Sequence, residues 1–467
     1  MVRLASVLFG LALLCAGQES QEAPKPLPEN PPATGGKIPR QEENKNVQKT
    51  EATRRWNLFW QATSIGQYHG TFRAPYGGPN SLQDYPERSV SLTTTLFFGF
   101  RLDDNTQIYI NPEVAGGRGF SNVTGIANFS NGELPRVSSV TPKPYLARAY
   151  IQHDFGWGAE RESFESEENQ LGGDRPLNRY TVVIGRFTVT DFLDNNRYTH
   201  DPRTQFMGWG IMYNGAWDYP ADTRGYTWGW FHEVHTRNWS WRYASAAEPK
   251  VANGEQFDRR IFHDRGDMFE SERRYNIGHH PGAIRALGFL LHTDSGSYQD
   301  ALKLGQEVHE TPDVTKTRQV GRLKYGAGLN FEQEITADIG IFSRLGWNDG
   351  KTESFAFTAI DRLATGGVSV TGNRWRRRFD TAATELTASG LSAVHAQYLA
   401  AGGLDFLIGD GRLNYGPEYV WETYYNARVF PGFFATIDEQ RVVNPAYNQD
   451  RGPVWVSSIR LHIEVGK

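Results

Sequence analysis

Tyr419-Val-Trp-Glu-Thr-Tyr-Tyr-Asn-Ala-Arg-Val429 decides the fold. Its odd positions read Tyr419, Trp421, Thr423, Tyr425, Ala427 and Val429. Glu418, Val420, Glu422, Tyr424, Asn426 and Arg428 interleave with them. Farther on, Trp455, Ser457, Ile459, Leu461, Ile463 and Val465 share one parity, and Ser458, Arg460, His462 and Glu464 the other. A period of two sends successive side chains to opposite faces, so both segments read as strands. Charges stand in the middle of the polar face, and aromatic rings sit at the ends of the apolar one. A soluble sandwich would bury its apolar face in a core. A membrane barrel turns this inside out, with apolar residues to lipid, charges to a wet lumen and aromatic girdles at the interfaces.

Composition separates the two. The chain has 467 residues, net charge −4, 49 glycines, 13 Trp, 21 Tyr and 27 Phe, rich in glycine and aromatics for a globular protein. Its mean hydropathy of −0.56 excludes a bundle of membrane helices, which would need several apolar runs of roughly 20 residues. It does not exclude a barrel, whose lumenal residues offset the lipid-facing ones. The near-neutral charge gives no reason to expect a nucleic-acid partner.

The one long apolar run lies at residues 7–14, preceded by Arg3 and followed by Cys15-Ala-Gly17. Residues 1–17 therefore read as a secretory signal peptide, too short to span a membrane. Cys15 is the single cysteine; lipid attachment there is the alternative, disfavoured by the bulk of Leu14. Residues 18–55 are rich in Pro, Glu, Asn and Lys with almost no large apolar side chain, and read as a disordered lead. Residues 56–467 then read as strand after strand. Leu92, Leu96, Phe98, Phe100 and Leu102 alternate with Thr93, Thr95, Gly99, Arg101 and Asp103 before an Asp104-Asn105 turn. The clearest hairpin spans 322–348 and turns near Thr336. Counting such segments predicts an all-β, antiparallel transmembrane barrel of about 16 strands, with short periplasmic turns and long external loops. Residues 158–178, 247–280 and 371–389 are polar and charged, and are expected as external loops, some folding inward.

Several blocks resemble the carbohydrate-selective porins of Gram-negative outer membranes, the OprB type. They are Gly185-Arg-Phe-Thr-Val-Thr-Asp191 with its continuation to Phe206, Asp218-Tyr-Pro-Ala-Asp-Thr-Arg-Gly-Tyr-Thr-Trp228, and the run from Arg344 to Phe357. Leu399-Ala-Ala-Gly-Gly403, Glu422-Thr-Tyr-Tyr-Asn426 and Asn444-Pro-Ala-Tyr-Asn-Gln-Asp-Arg-Gly-Pro453 follow in order. The resemblance implies a 16-stranded outer-membrane barrel that conducts small sugars, with a preference for monosaccharides such as glucose. Outer-membrane lipid and a possible homotrimer are the implied surroundings.

Sugar passage has its own physical requirements. Hydroxyls need donors and acceptors, C–H faces stack on rings, and each contact must be weak enough to release the solute. Arg101, Glu113, Arg148, Arg186, Lys324, Glu332, Asp338, Arg344, Glu418, Glu422, Asn426 and Arg428 fit a lumenal, sugar-contacting face. A mid-strand arginine facing lipid would cost about 2–4 kcal/mol. The plainer reading of each is a lumenal salt bridge that stiffens the wall. Asp191, Asp194, Asn195, Asn196, Asp201 and Arg203 form a polar, turn-prone block that is a candidate constriction loop. A surface loop and a calcium-type oxygen cluster are its alternatives, although the spacing matches no EF-hand. Adjacent His279 and His280 would point to opposite faces of a strand, so no metal site is expected from them with His263 and Asp264. No cofactor is implied. A glycosidase needs two carboxylates about 5–9.5 Å apart, and among 53 acidic residues some pair always qualifies. No nucleophile elbow, metalloprotease helix or phosphate loop is present. A secreted carbohydrate-binding β-protein is the remaining alternative, and a general porin the nearest one.

Overall fold

The computed structural model describes residues 54–134, 140–260 and 263–466. The predicted signal peptide and nearly all of the predicted Pro-rich lead lie outside them. The first eight strands are β1 (Trp56–His69), β2 (Glu87–Arg101), β3 (Thr106–Arg118), β4 (Lys143–Phe164), β5 (Gly173–Phe187), β6 (Thr227–His235), β7 (Trp239–Ala247) and β8 (Arg265–Ile277). The second eight are β9 (His280–Thr293), β10 (Arg322–Thr336), β11 (Ile339–Asn348), β12 (Arg362–Thr371), β13 (Thr381–Gly390), β14 (Glu418–Phe430), β15 (Phe433–Val443) and β16 (Val454–Gly466). Every strand pairs antiparallel with its sequence neighbour, and β1 pairs with β16 from Phe59↔Gly466 to His69↔Val456, which closes the barrel. Closure leaves no unpaired edge, the condition for backbone to cross a bilayer as strands. Among the described residues no helix is long and apolar enough to cross a membrane.

The alternation holds residue by residue. In β14, Glu418, Val420, Glu422, Tyr424 and Asn426 are buried, while Tyr419, Trp421 and Tyr425 are exposed. The 322–348 hairpin is β10 and β11, with a register shift between Glu334 and Thr336. Rings mark both rims of the outer face. Trp421 meets Trp455 at one end, and Trp239 stacks on Trp241 at the other. Arg441, Arg362 and Arg273 lie over Trp455, Trp347 and Trp239, their charged heads kept at the interfaces. Between the rims, Ile459 is 60% exposed in the middle of β16. Ile459→Arg is expected to cost about 2–4 kcal/mol, read as a lower urea midpoint in lipid vesicles; an unchanged midpoint would place that face elsewhere.

Three predicted loops need correction. Residues 158–178 extend β4 and β5 at the short-turn end, where both faces of the ribbon lie beyond the apolar band and no alternation is required. Within 247–280 only residues 248–264 form an external connection, because β8 follows; its outer face mixes Arg265, Asp267, Ser271 and Arg273 with Phe269 and Tyr275, which blurs the apolar alternation of a strand. Residues 371–389 are a short-end turn and then β13, whose outer face, Ala382, Thr384, Leu386 and Ala388, has a single large apolar residue and so little apolar signal.

The largest apolar cluster lies on the inner side of the wall, where loop residues of the external half, among them Phe129, Trp209, Trp217, Tyr219, Phe357 and Leu407, join inward-facing strand residues such as Val183, Phe231 and Phe289. The loops fold inward because they carry rings that an exposed loop would leave in water.

Candidate functional site

Two loop segments narrow the lumen, 119–134 after β3 and 188–226 between β5 and β6. They are held by charges on the wall. Glu418 accepts from the backbone N–H of Ala127 and Asn128 at 3.0 and 2.7 Å. Glu422 accepts from Met207 and Gly208. Glu270 accepts from Asp194, and Glu332 from Arg197. Arg344 donates to the carbonyls of Ile211, Asp194 and Thr199 at 2.8–3.0 Å and pairs with the Asp194 carboxylate at 2.9 Å. Arg460 donates to the carbonyls of Pro202 and Gln205. The 188–226 loop thus crosses from β5 to β16, tied to the wall at β8, β10, β11, β14 and β16.

This changes the standing of several predicted contact residues. Arg344, Glu418 and Glu422 are 0% exposed and Lys324 is 4% exposed. They face inward but are covered by the loops they hold, or, for Lys324, by Asp218 at 2.8 Å, so they cannot touch a solute. Glu332 is buried against Arg197 and Arg285. Arg101 faces inward near the short-turn end and donates to the carbonyls of Arg54 and Gly172. Asn426 accepts from Thr436 across the wall. Asp338 is not lumenal: it lies in the β10–β11 turn, where Thr371 and Asn373 donate to it. Arg428 sits at the same end with its guanidinium 3.9 Å over Phe379. Arg186 leaves β5 at the external rim after Gly185, donating to Leu146 O and Asp222. In these three the strand period breaks at the ends, where turns redirect side chains.

Glu113 and Arg148 do line open space. A cavity on the external side is bounded by Glu113, Arg148, Asp191, Asp201 and Arg203, with rings from Phe129, Tyr145, Trp209, Tyr213, Tyr219 and Tyr226. A second cavity lies toward the short-turn end, and Arg148 and Asp191 line both. The two residues meet through a bidentate pair at 2.7 and 2.6 Å, and Arg148 lies 5.3 Å over the Tyr226 ring. Arg148 Nη1 has no hydrogen-bond partner among the described residues. Arg203 bridges Glu133 at 2.9 Å and Glu113 at 3.1 Å; these carboxylates keep the guanidinium protonated against the penalty of burial. Burial and the nearby Arg344 push His200 down to about 4, so its imidazole adds no charge above that.

The candidate constriction block is therefore divided. Asp191, Asp201 and Arg203 border the passage. Asp194 faces the wall, where its carboxylate accepts from Asn330 and Asn214 N and pairs ionically with Arg344, so a cation is already in place there. Asn196 donates to Asn330 Oδ1, and Asn195 borders the second cavity. His263 and Asp264 precede β8 while His279 and His280 follow it, so the histidines lie at opposite ends of the barrel. The rings missed in the sequence, Phe129, Trp209, Tyr213, Tyr219 and Tyr226, carry one available signal: dense aromatics within loops that have no strand period.

A closed 16-stranded antiparallel barrel, apolar outside and narrowed inside by its own loops, is an outer-membrane channel of the porin class. The chain belongs to the carbohydrate-selective porin (OprB) family, whose model matches residues 89–464. Among solved structures it is similar to OprB of Pseudomonas putida at high pH, with a TM-score of 0.66 and 14% identity over 88% of this chain and 94% of that one. It is also similar to the outer-membrane channel DcaP of Acinetobacter baumannii, with a TM-score of 0.48 and 7% identity over 88% and 97% of the two chains. No curated protein sequence matches.

Proposed function

We propose that the chain carries small uncharged carbohydrates, monosaccharides such as glucose, by passive diffusion past an eyelet made by Arg148 and Asp191. The carrying observation is that the two cavities share these two residues. A solute moving between them passes the Arg148 guanidinium, the Asp191 carboxylate and the Tyr226 ring. Hydroxyls exchange with the first two, and a C–H face slides over the third. The charges compensate one another, which disfavours tight ion binding and lets a neutral polyol leave. Family membership supports the substrate class.

In planar bilayers, glucose on one side is expected to block the ion current saturably, with disaccharides blocking less. Asp191→Asn should weaken the block about tenfold, the value of one charge-assisted hydrogen bond. A current that ignores every sugar would identify a general porin.

A further inference from the structure

The β4–β5 ribbon runs on where its neighbours turn. β4 has 22 residues, and its pairing jumps from Trp157↔Asn178 to Arg161↔Pro176, two more residues on β4 than on β5. Gly158, at φ +80°, lies in that interval and supplies the conformation a side chain would resist. The bent ribbon reaches across the short-turn mouth and docks under β1 to β3. Asn57 Nδ2 donates to Ser166 Oγ, Glu167 O and Gln170 O at 3.0, 3.0 and 2.8 Å. Asn111 donates to Asn169 Oδ1 at 2.8 Å, and Leu171 N to the Tyr109 hydroxyl at 3.1 Å. Leu171 packs in the same apolar cluster as Tyr109 and Tyr150. The ribbon floors the lower cavity.

That cavity is built for hydroxyls. Five arginines and six acidic side chains border it, and the pairs Arg175–Asp154, Arg179–Glu162 and Arg242–Glu233 neutralise most of the charge. Arg179 borders this space, its Nη1 held by Glu162 and by the carbonyl of Pro176. Phe164, from the ribbon, also borders the space and lies 5.2 Å from Arg175 and 5.6 Å from Arg179.

We propose that the lower cavity is a second subsite for the same neutral polyol, with the Arg179 guanidinium among its donors and the 158–178 ribbon as its floor on the periplasmic side. The proposal rests on the carbohydrate reading above. A permeating sugar passes from the eyelet to this subsite before it leaves beneath the ribbon tip.

The test is glucose block of single channels, with heat-modifiable gel mobility certifying the barrel. Arg148→Gln should weaken the block about tenfold but leave a saturable remainder. Adding Arg179→Gln should abolish that remainder. If Arg148→Gln alone removes all saturation, or if the double variant matches the single one, there is no second subsite. Should the Arg179 variant fail to assemble, Asn57→Ala decides: undocking the tip should raise the glucose on-rate severalfold from the periplasmic side only, and equal on-rates with the parent would refute the floor. A parent channel without saturable block would refute the carbohydrate reading itself, a different outcome from either.

Discussion

Arg344→Ala will open the channel rather than change the chemistry of its wall. The guanidinium is fully buried and holds three carbonyls of the 188–226 loop as well as the Asp194 carboxylate. Truncation leaves that carboxylate without its cation in a site closed to water, a loss of about 3–5 kcal/mol. The barrel does not carry this cost, because its ladders are independent of the loop. The loop does, so its detached state should gain about a hundredfold or more in population. Single-channel conductance is expected to rise with open-state flicker, glucose block to disappear, and heat-modifiable mobility to persist. Arg344→Lys keeps the charge but not the fork, and should fall between. A quiet channel with the parental block would show that the loop holds without Arg344.

His395 gives the second large effect, through pH. It sits in the helix Ala393–Ala400 of the β13–β14 connection, capped by Ser392. Its Nδ1 is 3.0 Å from Asp361 and its Nε2 3.1 Å from Asp405. The ring stacks at 4.2 Å on Tyr298, which opens the helix Tyr298–Val308 of the β9–β10 connection. One imidazolium thus ties together parts of three external connections. Burial by itself would lower its pKa, but Asp361 and Asp405 outweigh that and raise it from 6.5 to about 9. Asp361 is held below the ordinary carboxylate range by the same pair, against the opposing effect of burial. For a raised pKa the sign is fixed: the stabilisation is complete below about 6.5 and is lost as pH rises through about 9, with a size of about 3 kcal/mol. External loops should become protease-sensitive and the channel noisy between pH 8 and 10, and recover on return to neutrality. His395→Asn should show the loosened behaviour at every pH. Equal protection at pH 7 and pH 10 would rule out the clamp.

The sequence by itself determined the wall. Alternation with charges on one side and rings at the ends of the other follows from the steric period of a strand and from the cost of charge in lipid, both local, so residues 415–430 and 454–465 could be read without a partner. The same locality made Asp338, Arg428 and Arg186 misleading, because a period stops carrying direction where a turn begins. Residues 158–178 were hidden for the converse reason: a ribbon wet on both faces needs no alternation. The arrangement of the lumen was decided only in three dimensions. Glu418 and Glu422 look like pore-lining charges until backbone N–H groups from residues 127, 128, 207 and 208 arrive to cover them, and no pattern along the chain encodes which loop amides will find which wall carboxylates. Arg148 and Asp191, 43 residues apart, came to border both cavities because two loops folded inward around their own aromatic rings and left open space against that part of the wall.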